Sequence, residues 1–369
     1  MDAFDVQVLG AGIVGQSLAL ALARAGLKVG LRRDARPAAA STDVRAFALN
    51  PASVALLRSL KVWDALPAHA ATAVYDMQVQ GDAPGAELGF SAWQQRVAEL
   101  AWITDAAVLE RELAAAIRFA PHITAVDGDV DATLTALCDG AGSSRREALG
   151  VTFQAHSYGQ RAIAARLTAS RPHAGVARQW FRAPDVLALL PFDAPEPGRS
   201  YALVWSLPDK RADELMATDD SAFEQALSDA TEAKAGELKL ASSRAVWPLQ
   251  LGRADRWFGP GWVLVGDVAH QVHPLAGQGL NLGLGDVATL ARTLAEREPW
   301  RSLGDERLLR RYPRERAAPI WTMGEVTDGL LHLFSHESPT LRELRNRGLT
   351  LVNRLPVVKR WLTSQALGS

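Results

Sequence analysis

Three glycines set between a strand and a helix constrain this chain more than any other feature. Asp5-Val6-Gln7-Val8-Leu9 is short, apolar and β-branched, and it runs directly into Gly10-Ala11-Gly12-Ile13-Val14-Gly15. An Ala- and Leu-rich helix then continues to Arg24-Ala25, where Gly26 predicts its end, and Leu27 to Leu31 reads as a second strand. In such a βαβ unit the first glycine makes the tight turn and the second lets the backbone approach a pyrophosphate. The third lets helix and strand pack closely, while the helix N-terminus offers free N–H groups and the positive end of its dipole. A bare glycine triplet is an ordinary turn; this one has the structural context that a dinucleotide loop requires. The acid expected at the end of the second strand, for a ribose hydroxyl, is absent. Arg33 stands there with Asp34 beside it, so either Asp34 takes the role after a small shift or Arg33 contacts phosphate or solvent.

The remaining pattern places this unit in a larger α/β frame. Asn50 to Leu60 reads as a helix, as does Thr104 to Phe119, with Thr104 as N-cap and a stripe of Val108, Leu109, Leu113 and Ile117. Val74 to Phe90, with a turn near Asp82-Ala83-Pro84-Gly85, and Tyr158 to Trp205 read as strands of a different sheet, with Pro191 to Arg199 a crossing between two of them. Trp262 to Val265 is a short buried strand ending at Gly266-Asp267, and helices dominate beyond Asp286. This order predicts a mixed α/β (α+β) architecture: a Rossmann-type nucleotide domain in non-contiguous pieces, an inserted antiparallel β-sheet substrate domain, and C-terminal helices. The expected nucleotide-binding pieces are 1–73, 101–155 (shortened) and 251–300; the substrate pieces are 74–100 and 156–250; residues 301–369 form the helical region.

Composition narrows the function. With 369 residues, 48% hydrophobic and 22% charged, the chain can bury a large core, and a net charge of −1 argues against a nucleic-acid partner. The single cysteine, Cys138, excludes an internal disulfide and reads as a small buried hydrophobe. No basic leader opens the sequence and no apolar run approaches about 20 residues, so a cytoplasmic protein is expected, attached at most to the inner face of a membrane.

Further segments, taken in order, carry a family resemblance. Arg45-Ala46-Phe47-Ala48-Leu49, Asp139-Gly140, and Gly266-Asp267-Val268-Ala269-His270 running through Pro274-Leu275-Ala276-Gly277-Gln278-Gly279-Leu280-Asn281 resemble the single-component FAD monooxygenases of the para-hydroxybenzoate hydroxylase type. Within that group the chain is most similar to the ubiquinone-biosynthesis hydroxylases, the UbiH/UbiF/COQ6 family. Tyr158-Gly159-Gln160-Arg161-Ala162-Ile163, Trp247-Pro248-Leu249 and Arg345 to Leu349 extend the similarity over nearly the whole chain.

The resemblance implies FAD as cofactor, NADH or NADPH as a transient electron donor, and O₂ attack on an aromatic ring through a flavin C4a-hydroperoxide. It implies a prenylated phenol or quinone precursor as substrate. Asp267 would accept hydrogen bonds from the ribityl chain, against the alternative of a helix N-cap. Arg45 would lie near the flavin edge or pyrophosphate, against the alternative of a surface salt bridge. Gly10, Gly12, Ile13, Val14, Gly15, Arg33, Asp34, Asp139, Gly266, Pro274 and Gly277 complete the cofactor set. Gln278, Gly279, Leu280 and Asn281 would offer backbone N–H groups to the flavin pyrimidine edge, where negative charge develops on reduction.

His270 and His273 are acid–base candidates but more often structural, and without a carboxylate partner in the sequence they do not read as metal ligands. No catalytic residue is assigned. Two departures stand out at the adenosine end: Arg33, and an Ala120–Asp139 stretch short enough that a strand is expected to be shortened or lost. They motivate a second reading, a non-catalytic or weakly FAD-binding paralogue serving as a subunit of a biosynthetic complex; a hydroxylase of another aromatic compound is a third. Residues 341–369 carry six basic side chains against one acid, with Trp361 and several leucines. That composition suits either an anionic membrane surface or a packing and docking face.

Overall fold

The computed structural model describes residues 4–32, 43–81, 86–272, 279–318 and 320. β1 (Phe4–Leu9) leads to α1 (Ile13–Arg24) and β2 (Val29–Arg32). Gly26, at φ +84°, closes α1: its N–H and that of Leu27 bond back to the Ala23 and Leu22 carbonyls at 3.0 and 3.1 Å. Leu27 serves this closure and Lys28 bonds to Asp5, its N–H donating to Oδ2 at 2.8 Å, and the second strand begins at Val29 rather than Leu27.

Next come β3 (Ala46–Leu49), α2 (Pro51–Ser59), β4 (Ala71–Val74), β5 (Asp76–Gln80), β6 (Glu87–Ser91), the one-turn α3 (Ala92–Gln95), β7 (Ala101–Asp105) and α4 (Ala106–Arg118). Asn50 caps α2, its side-chain oxygen accepting the Ser53 N–H at 2.8 Å. The cap of α4 is Asp105, not Thr104: Asp105 Oδ1 accepts the Val108 N–H at 3.0 Å. Thr104 is buried within β7, in register with Phe47, so tertiary pairing decides between two good cap formers.

The chain continues through β8 (Ile123–Val126), β9 (Ala132–Leu137), α5 (Ser144–Ala148), β10 (Phe153–Ala169), β11 (Val176–Arg182), β12 (Asp185–Phe192), β13 (Ser200–Pro208), α6 (Asp209–Ala217) and α7 (Asp220–Thr231). It closes with β14 (Leu238–Leu240), β15 (Ala245–Ala254), β16 (Phe258–Gly259), β17 (Trp262–Leu264), β18 (His270–Gln271), α8 (Gly279–Ala295) and α9 (Glu306–Leu309), followed by a helical segment at 311–318.

Three sheets result. A six-stranded sheet has the order β16-β17-β9-β1-β2-β8, parallel except at β16–β17. The stretch 120–139, although short, holds both β8 and β9, so the strand beyond β2 is retained; residues 127–131 cross over β2 and β1 to join the two, with Gln7 Nε2 donating to the Gly128 carbonyl at 3.0 Å. A nine-stranded sheet runs β18-β15-β10-β13-β12-β11-β5-β6 with β14 on β10, antiparallel except where β11 meets β5. The third sheet, β3-β7-β4, was not anticipated from the sequence.

Burial follows the sheets. Val6, Val8, Leu18, Leu22, Leu134, Val263, Val287 and Leu290 belong to one aliphatic core around β1, β9, α1 and α8. Trp180, Tyr201, Trp205 and Phe223 belong to a second, between the nine-stranded sheet and α6 and α7. Among the described residues no helix is long and apolar enough to cross a membrane.

Candidate cofactor cleft

The glycine loop is shaped by what it cannot accommodate. Gly10 sits at φ +105°, and a Cβ there would lie 2.5 Å from the Cys138 carbonyl oxygen. A Cβ on Gly15 would lie 1.9 Å from the Gly10 oxygen. Both are tighter than any side chain permits, which is why strand and helix meet so closely. Gly12 is the N-cap of α1, with no side-chain cap and no acid in the first turn. Ile13 and Val14 open that helix. Its first N–H groups therefore meet no competing carboxylate of their own helix, as an anion site requires.

Asp139 lies against this loop, its Cα 2.9 Å from where a Gly10 Cβ would be. Its Oδ2 accepts a hydrogen bond from Ser143 Oγ at 2.7 Å, with Arg145 at 3.6 Å, while the buried Oδ1 has no partner. A buried acceptor left open beside a bare helix N-terminus fits a ligand carrying both hydroxyls and phosphates.

The second half of the cleft comes from the far end of the chain. Gly266, at φ +77°, would place a Cβ 3.2 Å from Val14 Cγ1; a Cβ on Gly283 of α8 would be 2.8 Å from Val14 Cγ2 and 3.7 Å from Gly266 Cα. Val14 is thus clasped between two late glycines, and the early and late motifs share one place in space. Asp267 sits in a 3-10 turn, Gly266–Val268, and does not cap a helix. Its side chain is exposed, yet burial raises its pKa, with His270 and Arg45 opposing that rise and Asp286 adding to it. The carboxyl is thus open to solvent yet within reach of the His270, Asp286 and Arg45 charges.

Arg45 is half-buried and gripped by Asp43, Nε to Oδ1 at 2.9 Å and Nη2 to Oδ2 at 2.7 Å. The salt bridge foreseen as the alternative for Arg45 exists, and its charge also reaches Asp267. Gly279, Leu280 and Asn281 open α8. The Asn281 side chain also fastens α8 to α2 and β3. Its Oδ1 accepts from the Asn50 N–H at 3.0 Å and Ser53 Oγ at 2.7 Å, and its Nδ2 donates to the Ala48 carbonyl at 2.7 Å. Arg33, Asp34, His273, Pro274, Gly277 and Gln278 lie outside the described residues.

The structure corrects the reading of His270. It has a carboxylate partner, Asp286, at 2.6 Å, and both are buried. The sequence signal was there: Asp286, in the mostly apolar run Leu282–Leu290, must be paired if it faces inward. Among the described residues no group of three or more His, Cys, Asp or Glu could hold a metal ion.

The Asp267 turn is also a seam. β17 before it belongs to the six-stranded sheet, and β18 after it pairs with β15 of the nine-stranded sheet. Ile163, Ala165 and Leu167 of β10 face the tryptophan-lined core, so Ala162, Ala164 and Arg166 face the other way. Arg166 Nη2 donates to the Arg45 carbonyl at 2.8 Å and to Asp105 Oδ2 at 3.1 Å, so this face meets the cofactor side. Ala162 is in register with Ser206 and Trp247, and Ala164 with Val204 and Ala245. Ala162 and Ala164 are themselves buried, and Val204 packs on a small core with Val74 and Ile103 of the third sheet, so this face is mostly apolar with the exposed Trp247 indole beside it.

Comparison with known proteins matches this architecture. The family described as FAD binding domain matches residues 3–112 and 112–327. The ubiquinone hydroxylase UbiL of Rhodospirillum rubrum is 31% identical over 392 residues, covering 99% of this chain and 90% of its own. The 3-demethoxyubiquinol 3-hydroxylase of Escherichia coli is 30% identical over 394 residues, covering 99% and 98%. Among solved structures, PqsL from Pseudomonas aeruginosa, a probable FAD-dependent monooxygenase, superposes with a TM-score of 0.77 at 21% identity, covering 95% of this chain and 100% of that one.

Proposed function

We propose a substrate and a set of residue roles on the premise that this chain belongs to the FAD binding domain family, together with the ubiquinone hydroxylases, and is an FAD-dependent monooxygenase. Its substrate is an aromatic ring of the prenylated phenol or quinone-precursor class. The names of the two relatives support that class, and so does the apolar character of the face that carries Ala162 and Ala164 beside Trp247. The observation that carries the reading is the meeting of Val14 with Gly266 at the seam between the two large sheets.

FAD, when bound, would supply the redox chemistry of hydroxylation, with NADH or NADPH as electron donor and O₂ as oxidant. The chain binds, orients and shields. The α1 N-terminus, with Gly10, Gly12, Ile13, Val14 and Gly15, takes the pyrophosphate. The Asp267 carboxylate accepts from the ribityl hydroxyls and Asp139 Oδ1 from a further hydroxyl. The start of α8 at Gly279–Asn281 directs its positive end at the ring that becomes negative on reduction. His270 and Arg45 oppose the rise that burial imposes on the Asp267 pKa. The nine-stranded sheet forms the opposite wall and excludes water from the reacting ring.

Such a substrate keeps its prenyl chain in a bilayer. The basic and apolar composition of residues 341–369, which lie outside the described residues, supports that segment as the membrane contact. Co-sedimentation with anionic vesicles, lost on truncation at residue 340, tests it.

The purified protein should be yellow. Its NAD(P)H oxidation should rise with a prenylated phenol and give one hydroxylated product per nicotinamide consumed. A colourless protein that cannot be loaded with FAD would favour the non-catalytic subunit. Oxidation that a prenylated phenol does not stimulate, while another phenol does, would move the substrate class.

A further inference from the structure

We infer that Asp286 is a positioning residue for the cofactor, setting the Asp267 turn from beneath and making that setting depend on Arg316. The inference rests on the reading that Asp267 meets FAD. Asp286 is fully buried on α8 and accepts three hydrogen bonds from three different parts of the chain. The Gly266 N–H donates to its Oδ2 at 3.0 Å, His270 Nε2 meets the same oxygen at 2.6 Å, and Arg316 Nε donates to Oδ1 at 2.7 Å.

Burial alone would push this carboxyl towards its neutral form, but His270 and Arg316 more than offset that and hold its pKa below the usual value. An ionised carboxylate has no proton to give, so His270 Nε2 carries the hydrogen. With Nε2 committed to Asp286 and the ring tilted against Trp257 at 5.1 Å between centroids, His270 braces this junction.

The geometry leaves little play at Asp267. Its preceding residue is fixed by the Asp286 bond on one side and by contact with Val14 on the other. Arg316 reaches Asp286 because position 285 has no side chain: a Cβ on Gly285 would lie 2.8 Å from Arg316 Nη2. The same guanidinium donates to the Leu282 carbonyl at 3.0 Å. A displacement of segment 311–318 therefore acts on the charge of Asp286 and on its hold over the Gly266 N–H.

Asparagine at 286 keeps the shape but offers one acceptor oxygen to three donors and turns an NH₂ towards one of them. FAD titration into apoprotein, followed by quenching of flavin fluorescence, reads the effect. Asp286→Asn should weaken FAD about tenfold, the cost of a lost charge-assisted bond, with faster deuterium exchange at the Gly266 amide. Leu294→Ala, buried in the same helix away from the turn, should lower the apoprotein melting temperature and leave FAD affinity unchanged.

If Asp286→Asn does not fold, Arg316→Gln keeps the question open to measurement and should give smaller changes in the same directions. Wild-type FAD affinity in the variant that folds would overturn the positioning role, as would an equal loss in Leu294→Ala. Asp267→Asn separates the two readings. If it weakens FAD while Asp286→Asn does not, only the positioning role falls; if Asp267→Asn binds FAD like the wild type, the Asp267 assignment falls and the positioning role with it.

Discussion

At the cleft the six-stranded sheet works chiefly through backbone: a helix N-terminus, two glycines that no side chain could replace, and a turn fixed by the Gly266 N–H. The nine-stranded sheet works through surface. Alanines and one indole make an apolar face, and the sheet's two largest buried side chains, Trp180 and Trp205, lie on the opposite one against Phe223. A backbone site tolerates almost no change at a few positions. A surface site tolerates many changes as long as its shape survives. The first should be brittle and general for the cofactor; the second should be forgiving and specific for the substrate.

The sharpest way to break this contrast is Gly15→Val. A side chain there meets the Gly10 oxygen, so the variant is expected to lose FAD altogether, with destabilisation above about 3 kcal/mol, read by flavin retention and denaturant unfolding. A variant that stays yellow would show that the loop is not a backbone site.

Trp205→Ala, fully buried in the other core, should cost about 3–5 kcal/mol in stability. FAD affinity at a temperature where the variant is folded should change little. A large loss of affinity would mean that the two sheets do not divide the work.

Asp185 sharpens the same comparison through pH. Burial raises its pKa from 3.8 to about 6, with Arg211 at 2.8 Å offsetting part of the rise. The folded chain therefore binds this proton more tightly than the unfolded one. Stability falls as pH rises from about 4 to about 6 and stays lower above that. Asp185→Asn should remove this slope and add about 1–3 kcal/mol at pH 7, seen as a flatter dependence of melting temperature on pH. An unchanged slope would reject the assignment.

The smallest effect belongs to a surface cap. Asp219 Oδ1 accepts the Ala222 N–H at 2.8 Å at the start of α7, and Asp219→Ala should cost about 1 kcal/mol with no effect on FAD.

What the sequence revealed follows the same division. The βαβ unit, the glycine loop and the Gly266-Asp267 turn were legible because close backbone approach demands glycine at fixed spacing. The inserted sheet was legible in outline from its alternation. Thr104 and Asp105 are both good caps, and the pairing of Thr104 with Phe47, 57 positions away, decided between them. The β3-β7-β4 sheet escaped notice because strands of four or five residues carry too little periodicity. Asp286 gave a local hint but no partners, since His270 and Arg316 lie 16 and 30 positions away.

The order of the clasp around Val14 has a consequence for biosynthesis. A ribosome releases the glycine loop first and its opposing wall, Gly266 and Gly283, only near the end. Both neighbours of β1, β2 and β9, are made early, yet the nascent chain presents half a nucleotide grip until β17, the Asp267 turn and α8 follow. Long-range closure of this kind is slow and leaves unpaired strand edges open to misassembly. FAD is expected to join as a finishing step that locks an already folded shape, and cellular supply of the flavin should govern how much of the released protein survives.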